Sequence, residues 1–370
     1  MAYLCTRERV SIMMKKGEDN KKLYNQYSKE ELLAQLEQED FNRITVSFYR
    51  YVIIDDPMAL RNDLFLEWNE LGVKGRIYLA KEGVNAQMSC PEPNWEAFKE
   101  KLNARAFFTG MPFKIAVEDD SKSFLKLQIK VRKKIVADGL DDGSFDVTNV
   151  GKHLTAEEWN KHLASEGSIC IDMRNQYESE IGHFDGAVCP DVDTFREELP
   201  EVLDMLDGKE DQKILLYCTG GVRCEKASAY LKHHGFEDVN QLHGGIIDYA
   251  RQLKENENIE NKYKGKNFVF DDRRGERISD EVISTCHQCN ETSDNHVNCV
   301  NKDCNCLFIQ CNSCNDLYEG CCSEECREVT YMSPEEQSAW RKVKKEGTNT
   351  DMYKRSLRPK VRMISEKQNS

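Results

Sequence analysis

The stretch Tyr217-Cys218-Thr219-Gly220-Gly221-Val222-Arg223-Cys224-Glu225-Lys226 decides how the centre of this chain is interpreted. The apolar residues before it are typical of a buried parallel strand, and residues 225–233 predict a helix. Two adjacent glycines let the backbone turn tightly, so that several N–H groups can converge on the Cys218 sulfur. The start of the helix and the Arg223 guanidinium add positive charge. Cys218 is therefore expected to have a lowered pKa and to be a thiolate at neutral pH.

Each cysteine of this stretch also has a less specific interpretation. Cys218 could be a buried structural thiol, because cysteine is among the most buried residue types. The succession of strand, cysteine, glycines, arginine and helix is far more specific than a lone cysteine, and we therefore favour a reactive thiol. Cys224 is a candidate resolving thiol, or it could only face the core of the helix.

Residues 150–260 alternate short apolar strands with helices, which indicates an α/β fold. They resemble a rhodanese domain. Residues 218–223 are similar to the rhodanese active-site loop Cys-x-x-Gly-x-Arg. Further similar motifs are Ile171-Asp172-Met173-Arg174, Gly182-His183-Phe184 and His243-Gly244-Gly245.

The rhodanese resemblance implies that Cys218 is catalytic and carries a persulfide, with Arg223 beside it. Four residues separate the two, whereas related cysteine-dependent phosphatases have five, and the shorter loop suits a sulfur atom better than a phosphate group. Asp172 and Arg174 would support the loop, either as a structural ion pair at its base or in direct contact with substrate. The backbone that cradles the sulfur would belong to Thr219, Gly220, Gly221 and Val222.

The whole chain has 370 residues, and at about 100–200 residues per domain two or three domains are expected. Its net charge of -13 excludes a uniformly basic coat for nucleic acid. We find no apolar run of the roughly 20 residues that span a bilayer, and no secretory signal at the N-terminus. These features predict a cytoplasmic protein without a membrane partner.

Residues 41–137 predict a small α+β domain. Enrichment in β-branched and aromatic residues predicts strands, and helical spacing of apolar residues predicts two helices. The resulting order, β-α-β-β-α-β, is typical of a ferredoxin-like (acylphosphatase-like) fold. The predicted strands cover residues 43–52, 75–80, 114–117 and 124–136, and a turn with a returning strand is predicted within residues 81–88. The predicted helices cover residues 57–71 and 95–102.

We therefore expect a multidomain α/β protein with an N-terminal ferredoxin-like α+β domain, a central rhodanese-like α/β domain and a C-terminal cysteine-rich metal-binding region. Ser28 and Glu31 fit a capping box at the start of a short helix. The predicted parts are an N-terminal extension (1–40), the ferredoxin-like domain (41–137), a Gly/Asp-rich linker (138–149), the rhodanese domain (150–260), the cysteine-rich region (261–330) and a charged, partly helical tail (331–370).

Residues 124–134 contain a basic strand with strict alternation. Residues 41–137 carry 16 Lys/Arg and 12 Asp/Glu, a net of +4, whereas residues 150–260 carry 11 and 23, a net of -12. A basic strand face can follow a phosphate backbone, but lysines also protect ordinary edge strands. Charge alone leaves the two interpretations equal. Leu125, Leu127, Ile129 and Val131 point to one face, and Lys126, Gln128, Lys130 and Arg132 to the other, with Lys133 and Lys134 extending the charge.

Ten of the 16 cysteines lie within residues 286–326. Cys-x-x-Cys pairs in a chain without a secretory signal indicate metal ligands rather than disulfides. We predict two four-thiolate zinc sites, with His296 as a substitute ligand; an iron–sulfur cluster ranks below zinc, and free thiols or disulfides are the further alternative. We favour Cys286, Cys289, Cys299 and Cys304 for one site, and Cys311, Cys314, Cys322 and Cys326 for the other.

The order of these three regions resembles the bacterial tRNA uridine hydroxylase family. The resemblance covers roughly residues 41–330. It implies that the chain adds a 5-hydroxyl group to the wobble uridine (position 34) of tRNA, with molecular oxygen as co-substrate. A thiolate could add to C6 of the uracil ring and make C5 nucleophilic; a persulfide or an oxidised sulfur is the alternative route. The similar motifs lie at residues 77–85, 130–133 and 218–226, at Cys286-His287-Gln288-Cys289 and at Phe308-Ile309-Gln310-Cys311.

The family resemblance also favours the RNA interpretation of the basic strand, and it implies contact with the anticodon region of tRNA and not with DNA. The sequence shows no flavin or haem motif. Two other functions stay open, a sulfurtransferase that uses a Cys218 persulfide and a non-enzymatic RNA-binding protein, and the intact loop at residues 218–223 argues against the second. The residues expected to contact RNA are Lys81, Asn85, Lys126, Lys130, Arg132, Lys133 and Lys134.

Overall fold

The computed structural model describes residues 23–25, 27–116, 123–140, 145–271 and 273–347. We call residues 29–131 the N-terminal domain, residues 152–255 the central domain and residues 263–347 the C-terminal region. Within the described part of the chain, no helix has both the length and the apolar character needed to cross a membrane.

The N-terminal domain is a five-stranded sheet with the order β4-β1-β3-β2-β5. All neighbouring pairs are antiparallel except β2 and β5. This order confirms the predicted ferredoxin-like fold and adds β5 at one edge. Its strands are β1 (Arg43–Tyr51), β2 (Lys74–Ala80), β3 (Gly83–Pro91), β4 (Lys114–Ile115) and β5 (Leu127–Val131), and its helices are α1 (Lys29–Glu37), α2 (Pro57–Glu70) and α3 (Trp95–Asn103).

One face of this sheet is covered and the other faces the rest of the molecule. Trp68 of α2 and Phe98 of α3 are buried with Ile77 of β2 in one core. Because side chains alternate along a strand, Arg76 and Tyr78 point to the opposite face. This second face is a wall of the candidate active site. The predicted capping box of Ser28 and Glu31 is present at the start of α1.

The basic strand is shorter than predicted. We expected a strand over residues 124–136, but β5 ends at Val131, and Val117 of another predicted strand lies outside the described residues. Beyond β5 the backbone bonds to a side chain and not to a neighbouring strand. The Ile135 N–H donates to the carboxylate of Glu82 at 2.7 Å. The predicted alternation is nevertheless observed, since Leu127 and Ile129 are buried while Lys126, Lys130 and Arg132 are exposed.

The central domain contains a parallel sheet with the order β6-β10-β9-β7 and helices on both faces, as predicted for an α/β fold. Leu199 and Leu231 lie in the core on one side of the sheet, and Trp159 and Tyr249 lie in the core on the other. The strands are β6 (Lys152–Leu154), β7 (Ile169–Asp172), β8 (Gly182–Phe184), β9 (Ile214–Tyr217) and β10 (Val239–Leu242). The helices are α4 (Ala156–Leu163), α5 (Gln176–Ser179), α6 (Phe195–Met205), α7 (Val222–His233) and α8 (Gly245–Glu255).

Helix α7 begins earlier than predicted. We expected it at Glu225, but it begins at Val222, with Gly221 as the N-cap residue. This start lies inside the loop at residues 218–223, which we call the thiol loop. The N–H groups of the first helical turn have no partner within the helix, and in this loop they face the cysteine sulfur. Arg223 and Cys224 consequently belong to the helix that follows Cys218.

The C-terminal region is tied to the central domain by a strand. β11 pairs antiparallel with β8, so the division predicted at residue 260 falls between two paired strands. The predicted helix in the charged tail is present as α11. The elements of this region are β11 (Tyr263–Asn267), β12 (Glu276–Arg277), β13 (His296–Asn298), β14 (Leu307–Ile309), α9 (Asn312–Tyr318), α10 (Glu324–Tyr331) and α11 (Pro334–Gly347).

Candidate active site and metal-binding cysteines

Cys218 lies directly after β9, at the carboxyl end of the central sheet. The N–H of Gly221 donates to Cys218 Sγ at 3.1 Å. Gly221 has a φ of 92°, a left-handed conformation that glycine adopts without strain. Burial would raise the pKa of Cys218, but the thiol of Cys224, the Arg223 charge and the N–H groups of Cys224 and Arg223 lower it to about 5. This geometry supports a thiolate at neutral pH.

The Arg223 guanidinium is held by a buried carboxylate. Nη1 and Nη2 of Arg223 donate to the two oxygens of Glu178 at 2.6 and 2.8 Å. Thr219 Oγ1 donates to the same carboxylate at 3.3 Å. The arginine is therefore fixed beside the thiolate, and much of its charge is balanced by Glu178.

A second buried carboxyl, that of Glu198 on α6, lies near the same arginine. Neither of its oxygens has a hydrogen-bond partner in the described structure. Burial raises the pKa of Glu198 well above its ordinary value, and the Arg223 charge offsets this only in part. The geometry supports a protonated Glu198 beside the Glu178 side chain that binds Arg223.

Asp172 and Arg174 form a fully buried ion pair behind the loop. Arg174 donates to the two oxygens of Asp172 at 2.8 and 2.6 Å and to the carbonyl of Gly182 at 2.6 Å. Neither side chain is exposed, and neither lines the cavity described next. This position favours the structural alternative, in which the pair holds the end of β7 next to the start of β8.

Cys218 lines a cavity of about 330 Å³ between all three parts of the chain. We call it the thiol cavity. One wall is the thiol loop, the second is the open face of the N-terminal sheet, and the third is a segment of the C-terminal region. Side chains that represent the second and third walls are Ser47, Tyr49, Arg76, Tyr78, Asn85, Gln87 and Lys114, and Val269, Phe270, Asp271 and Arg273.

The two loop glycines let the N-terminal domain approach the thiol loop closely. A Cβ atom on Gly221 would lie 2.9 Å from the Tyr49 hydroxyl, which is too close for an ordinary contact. A Cβ atom on Gly220 would lie 3.9 Å from Lys114 Cδ. Tyr49 also donates to Glu225 of α7 at 2.9 Å. The domains are thus joined at the loop that carries the thiol.

The structure divides the predicted RNA-binding residues among different places. Asn85 lines the thiol cavity and donates to the Ile135 carbonyl at 3.3 Å. Arg132, Lys133 and Lys134 line a second cavity of about 730 Å³, which shares Tyr78 and Ile135 with the first. In the cavities described here, no wall includes Lys81, Lys126 or Lys130, which are exposed.

Eight cysteines come together in two sets of four, but the division we predicted is wrong. In the structure Cys286 and Cys289 join Cys311 and Cys314, whereas Cys299 and Cys304 join Cys322 and Cys326. Within each set, all four sulfur atoms lie within 4.8 Å of one another. We call them the first set, which is Cys286, Cys289, Cys311 and Cys314, and the second set, which is Cys299, Cys304, Cys322 and Cys326.

The hairpin of β13 and β14 explains this interleaved arrangement. The antiparallel pairing of Val297 with Phe308 returns the chain to its starting point, and the His287 N–H donates to the Ile309 carbonyl at 2.9 Å. Cys311 is thereby carried back to the Cys286–Cys289 turn. His296, our substitute ligand, belongs to neither set.

Both sets fit a tetrahedral zinc ion. A Zn–S distance of about 2.3 Å places neighbouring sulfur atoms of a tetrahedron about 3.8 Å apart. The sulfur atoms of Cys289 and Cys311 lie 3.5 Å apart, and those of Cys304 and Cys322 lie 3.6 Å apart. The first set is also connected to the central domain, because His287 contacts a Glu180 carboxylate oxygen at 2.9 Å.

Three family models match consecutive parts of the chain. They are the UPF0176 acylphosphatase like domain at residues 43–135, the Rhodanese-like domain at residues 155–252 and the Rhodanase C-terminal model at residues 264–327. Among solved structures, a Rhodanese-like domain from Anabaena is 20% identical, covers 30% of this chain and 78% of its own, and has a TM-score of 0.24.

Curated relatives match nearly the whole chain. The tRNA uridine(34) hydroxylase of Leptospira interrogans is 58% identical over 339 residues, which are 92% of this chain and 92% of that protein. The chain belongs to the tRNA uridine(34) hydroxylase family. The protein of the same name from Erwinia tasmaniensis is 48% identical over 90% of this chain and 96% of its own. The family resemblance inferred from the sequence is therefore confirmed.

For this member of the hydroxylase family, sequence reasoning missed most of the second and third cavity walls. Tyr49 and Arg76 lie on strands that we predicted, and alternation would have placed them on the face away from the helices. Lys114 lies on a strand of two residues, whose local sequence gives no functional signal. The third wall also gave no signal, because its position depends on the pairing of β11 with β8.

Proposed function

We propose that this chain is an enzyme that hydroxylates C5 of the wobble uridine (position 34) of tRNA, with the Cys218 thiolate as its nucleophile. Membership of the tRNA uridine(34) hydroxylase family supports the reaction and the substrate. The observation that carries the catalytic assignment is the position of the thiolate, which lies on one wall of a cavity opposite a positively charged domain. Because tRNA is the substrate, we propose the cytoplasm as the compartment.

The thiol cavity has room for one nucleobase. Its volume of about 330 Å³ lies at the low end of the range of small-molecule sites. Enzymes that react with a base take it out of the stack, and a single-stranded loop allows this at the lowest cost. A uridine of the anticodon loop can therefore enter with its base alone, while its neighbours stay outside.

The thiolate would activate C5 by adding to the neighbouring ring carbon. In this step Cys218 Sγ forms a bond to C6 and the C5–C6 π bond breaks. The electron pair moves into the enolate formed by C5 and O4, and no proton leaves. We propose that molecular oxygen supplies the hydroxyl oxygen that C5 then receives, and that two equivalents of a cellular thiol are oxidised to a disulfide as the second oxygen atom leaves as water. Loss of the C5 proton then breaks the S–C6 bond, restores the C5–C6 double bond and releases the Cys218 thiolate.

The second cavity would bind the RNA backbone beside the reacting uridine. Arg132 and Lys133, which follow β5, line this cavity together with Arg196 of α6. The Arg132 guanidinium lies 5.6 Å from the centre of the Tyr78 ring, and Tyr78 lines both cavities. Cations next to an aromatic ring suit phosphates and a stacked base. We propose that this cavity holds the nucleotide next to uridine 34.

We propose that each cysteine set holds one zinc ion. Closed four-thiolate sites of this kind have a structural role. The zinc ions would fix the C-terminal region and with it the third wall of the thiol cavity. We do not assign either ion a part in the hydroxylation, because neither set lines that cavity.

A nucleoside comparison tests the proposed reaction. A host strain without the gene is complemented with the wild-type chain, with Cys218→Ala or with the control Cys189→Ala, whose thiol lies outside the thiol cavity. Mass spectrometry should detect 5-hydroxyuridine with the wild type and the control, and none with Cys218→Ala. In a reaction under ¹⁸O₂, one ¹⁸O atom should appear in the 5-hydroxyuridine product. Normal levels with Cys218→Ala would refute the catalytic assignment.

The rhodanese loop favours one second candidate, a sulfurtransferase that carries a persulfide on Cys218. Thiosulfate:cyanide turnover by the purified chain measures this activity directly. Sulfur transfer without 5-hydroxyuridine formation would replace our proposal with this candidate. RNA binding with neither activity would instead indicate a non-enzymatic RNA-binding protein.

A further inference from the structure

Lys114 lies on the edge strand β4 and reaches into the thiol cavity. Its Nζ atom lies 4.0 Å from the centre of the Tyr49 ring, and its side chain passes over Gly220 of the thiol loop. Tyr49 is itself held by its hydrogen bond to Glu225. The ammonium group is thus fixed on the wall of the N-terminal domain, facing the loop that carries the thiolate.

Lys114 differs from two other cations that line the cavity, because no carboxylate in the described part of the chain pairs with it. Arg223 is bound by Glu178, and Arg273 is bound by Asp271 and Glu276. Among the described residues, no carboxylate lies within ion-pair distance of Lys114 Nζ, and Arg76 is exposed at the rim. A ligand oxygen that enters the cavity therefore meets an available ammonium group there.

We propose that Lys114 binds a carbonyl oxygen of the uracil ring and stabilises the negative charge that forms on it when Cys218 adds to C6. This inference rests on the proposed function. The addition forms the S–C6 bond, breaks the C5–C6 π bond and places charge on O4, which is the atom that an ammonium group would stabilise. A fixed donor aimed at a developing oxyanion is among the strongest catalytic interactions known in enzymes.

A base carbonyl suits this position better than a phosphate does. The Tyr49 ring covers the ammonium on one side, and Lys114 shares the wall with residues that face the thiol loop. A phosphate that reached this point would fill the place of the base beside Cys218. The second cavity, with Arg132, Lys133 and Arg196, provides a more open place for phosphates.

The surroundings of Lys114 give the proposal a pH signature. Burial lowers the pKa of Lys114 to about 8, although the negative groups around it act in the opposite direction. The pKa of Cys218 is about 5, so its thiolate predominates above that pH. Thiolate and ammonium therefore coexist between these two values. The charged and titratable groups that face Lys114 are Tyr49 on β1, His153 on β6, Cys218 in the loop, Cys224 and Glu225 on α7, and Asp248 on α8.

The test compares Lys114→Met with the wild type and with Lys161→Met, which removes an exposed lysine from α4, outside both cavities. Single-turnover hydroxylation of tRNA and the Kd for tRNA are measured for each from pH 5 to pH 9. Near pH 7, Lys114→Met should lose about 100-fold or more in rate, the loss typical of one oxyanion donor, with Kd changed less than threefold. Lys161→Met should keep the wild-type rate.

The pH profile separates a chemical role from a structural one. The wild-type rate should fall above pH about 8, where Lys114 loses its proton, and the residual rate of Lys114→Met should lack this fall. A rate within threefold of the wild type would overturn the proposal. So would a weaker Kd with an unchanged rate, which indicates a phosphate contact, or an alkaline fall that persists in Lys114→Met. Absence of hydroxylation by the wild type would instead refute the proposed function itself.

Discussion

Glu178 and Glu198 show how strongly one contact decides the protonation of a buried carboxyl group. Both side chains are fully buried near Arg223, yet only Glu178 binds the guanidinium through both oxygens. Glu178 therefore carries the counter-charge, while burial keeps Glu198 protonated. Arg223 keeps one carboxylate and one thiolate as its neighbours.

At this scale we predict that Glu178→Gln destabilises the protein by about 3–5 kcal/mol, because it leaves the Arg223 charge buried without its partner. Chemical denaturation at pH 7 measures the change in the free energy of unfolding. The positive charge that Glu178 no longer balances should also lower the pKa of Cys218 further, which the pH dependence of thiol alkylation reports.

Glu198→Gln is the matched control, because it replaces a neutral carboxyl group with a neutral amide. Its effect near pH 5 should be small. The folded-state pKa of Glu198 is raised, so the wild type loses stability as pH rises above the unfolded value, and glutamine does not titrate. The variant should therefore gain stability relative to the wild type between pH 5 and pH 8. Equal losses in the two variants would contradict the assigned protonation states.

The helices, the thiol loop and the cysteine pairs were largely predictable from the sequence, whereas the grouping of the cysteine pairs in space was not. Helices such as α2 and α3 follow from the spacing of apolar residues, and the thiol loop follows from its glycines. The cysteine pairs were also recognisable from their spacing. Their grouping depends on the hairpin of β13 and β14, two strands of three residues each, and strands so short carry little sequence signal.

The grouping of the cysteines makes a prediction at the scale of elements. By ligand count the wild type should bind about two zinc ions per chain. Cys286→Ala with Cys311→Ala removes two ligands from the first set and should leave about one ion. Cys286→Ala with Cys299→Ala damages both sets and should leave none. Elemental analysis of the purified variants measures these ratios.

The division we first expected would give the reverse order, since it places Cys286 with Cys299 and apart from Cys311. Cys306→Ala serves as the control, because Cys306 belongs to neither set. Full zinc in the Cys286→Ala/Cys299→Ala variant would exclude the assignment of these cysteines as ligands.

At the scale of the molecule, Lys226 joins the domains. It is buried on α7 and donates to Glu82, 144 positions earlier in the chain, at 3.1 and 3.0 Å. It also donates to Asp138 at 2.6 Å. Such a contact cannot be deduced from sequence spacing, because a buried lysine and a distant glutamate carry no local pattern that pairs them. For the same reason, the sequence does not predict that Lys114 lies in the wall of the thiol cavity.

We predict that Lys226→Met weakens the docking of the N-terminal domain on the central domain. The variant leaves Glu82 and Asp138 without this partner and should lose about 3–5 kcal/mol of stability. Hydrogen exchange should increase at the contact surfaces of both domains. Lys161→Met, which removes an exposed lysine from α4, should change neither quantity. Unchanged exchange in Lys226→Met would show that other contacts suffice to hold the domains together.

The third wall of the thiol cavity has a consequence for biosynthesis. The ribosome makes the nucleophile at position 218 well before Val269, Phe270, Asp271 and Arg273, which line that wall. Over the same interval β8 lacks its partner strand β11. A nascent chain thus carries an incomplete thiol cavity, open to small thiol reagents, until these four residues emerge. Chaperones that shield exposed strand edges would act during this interval. Translation arrest within it would release a protein with a reactive sulfur and an incomplete cavity for the base.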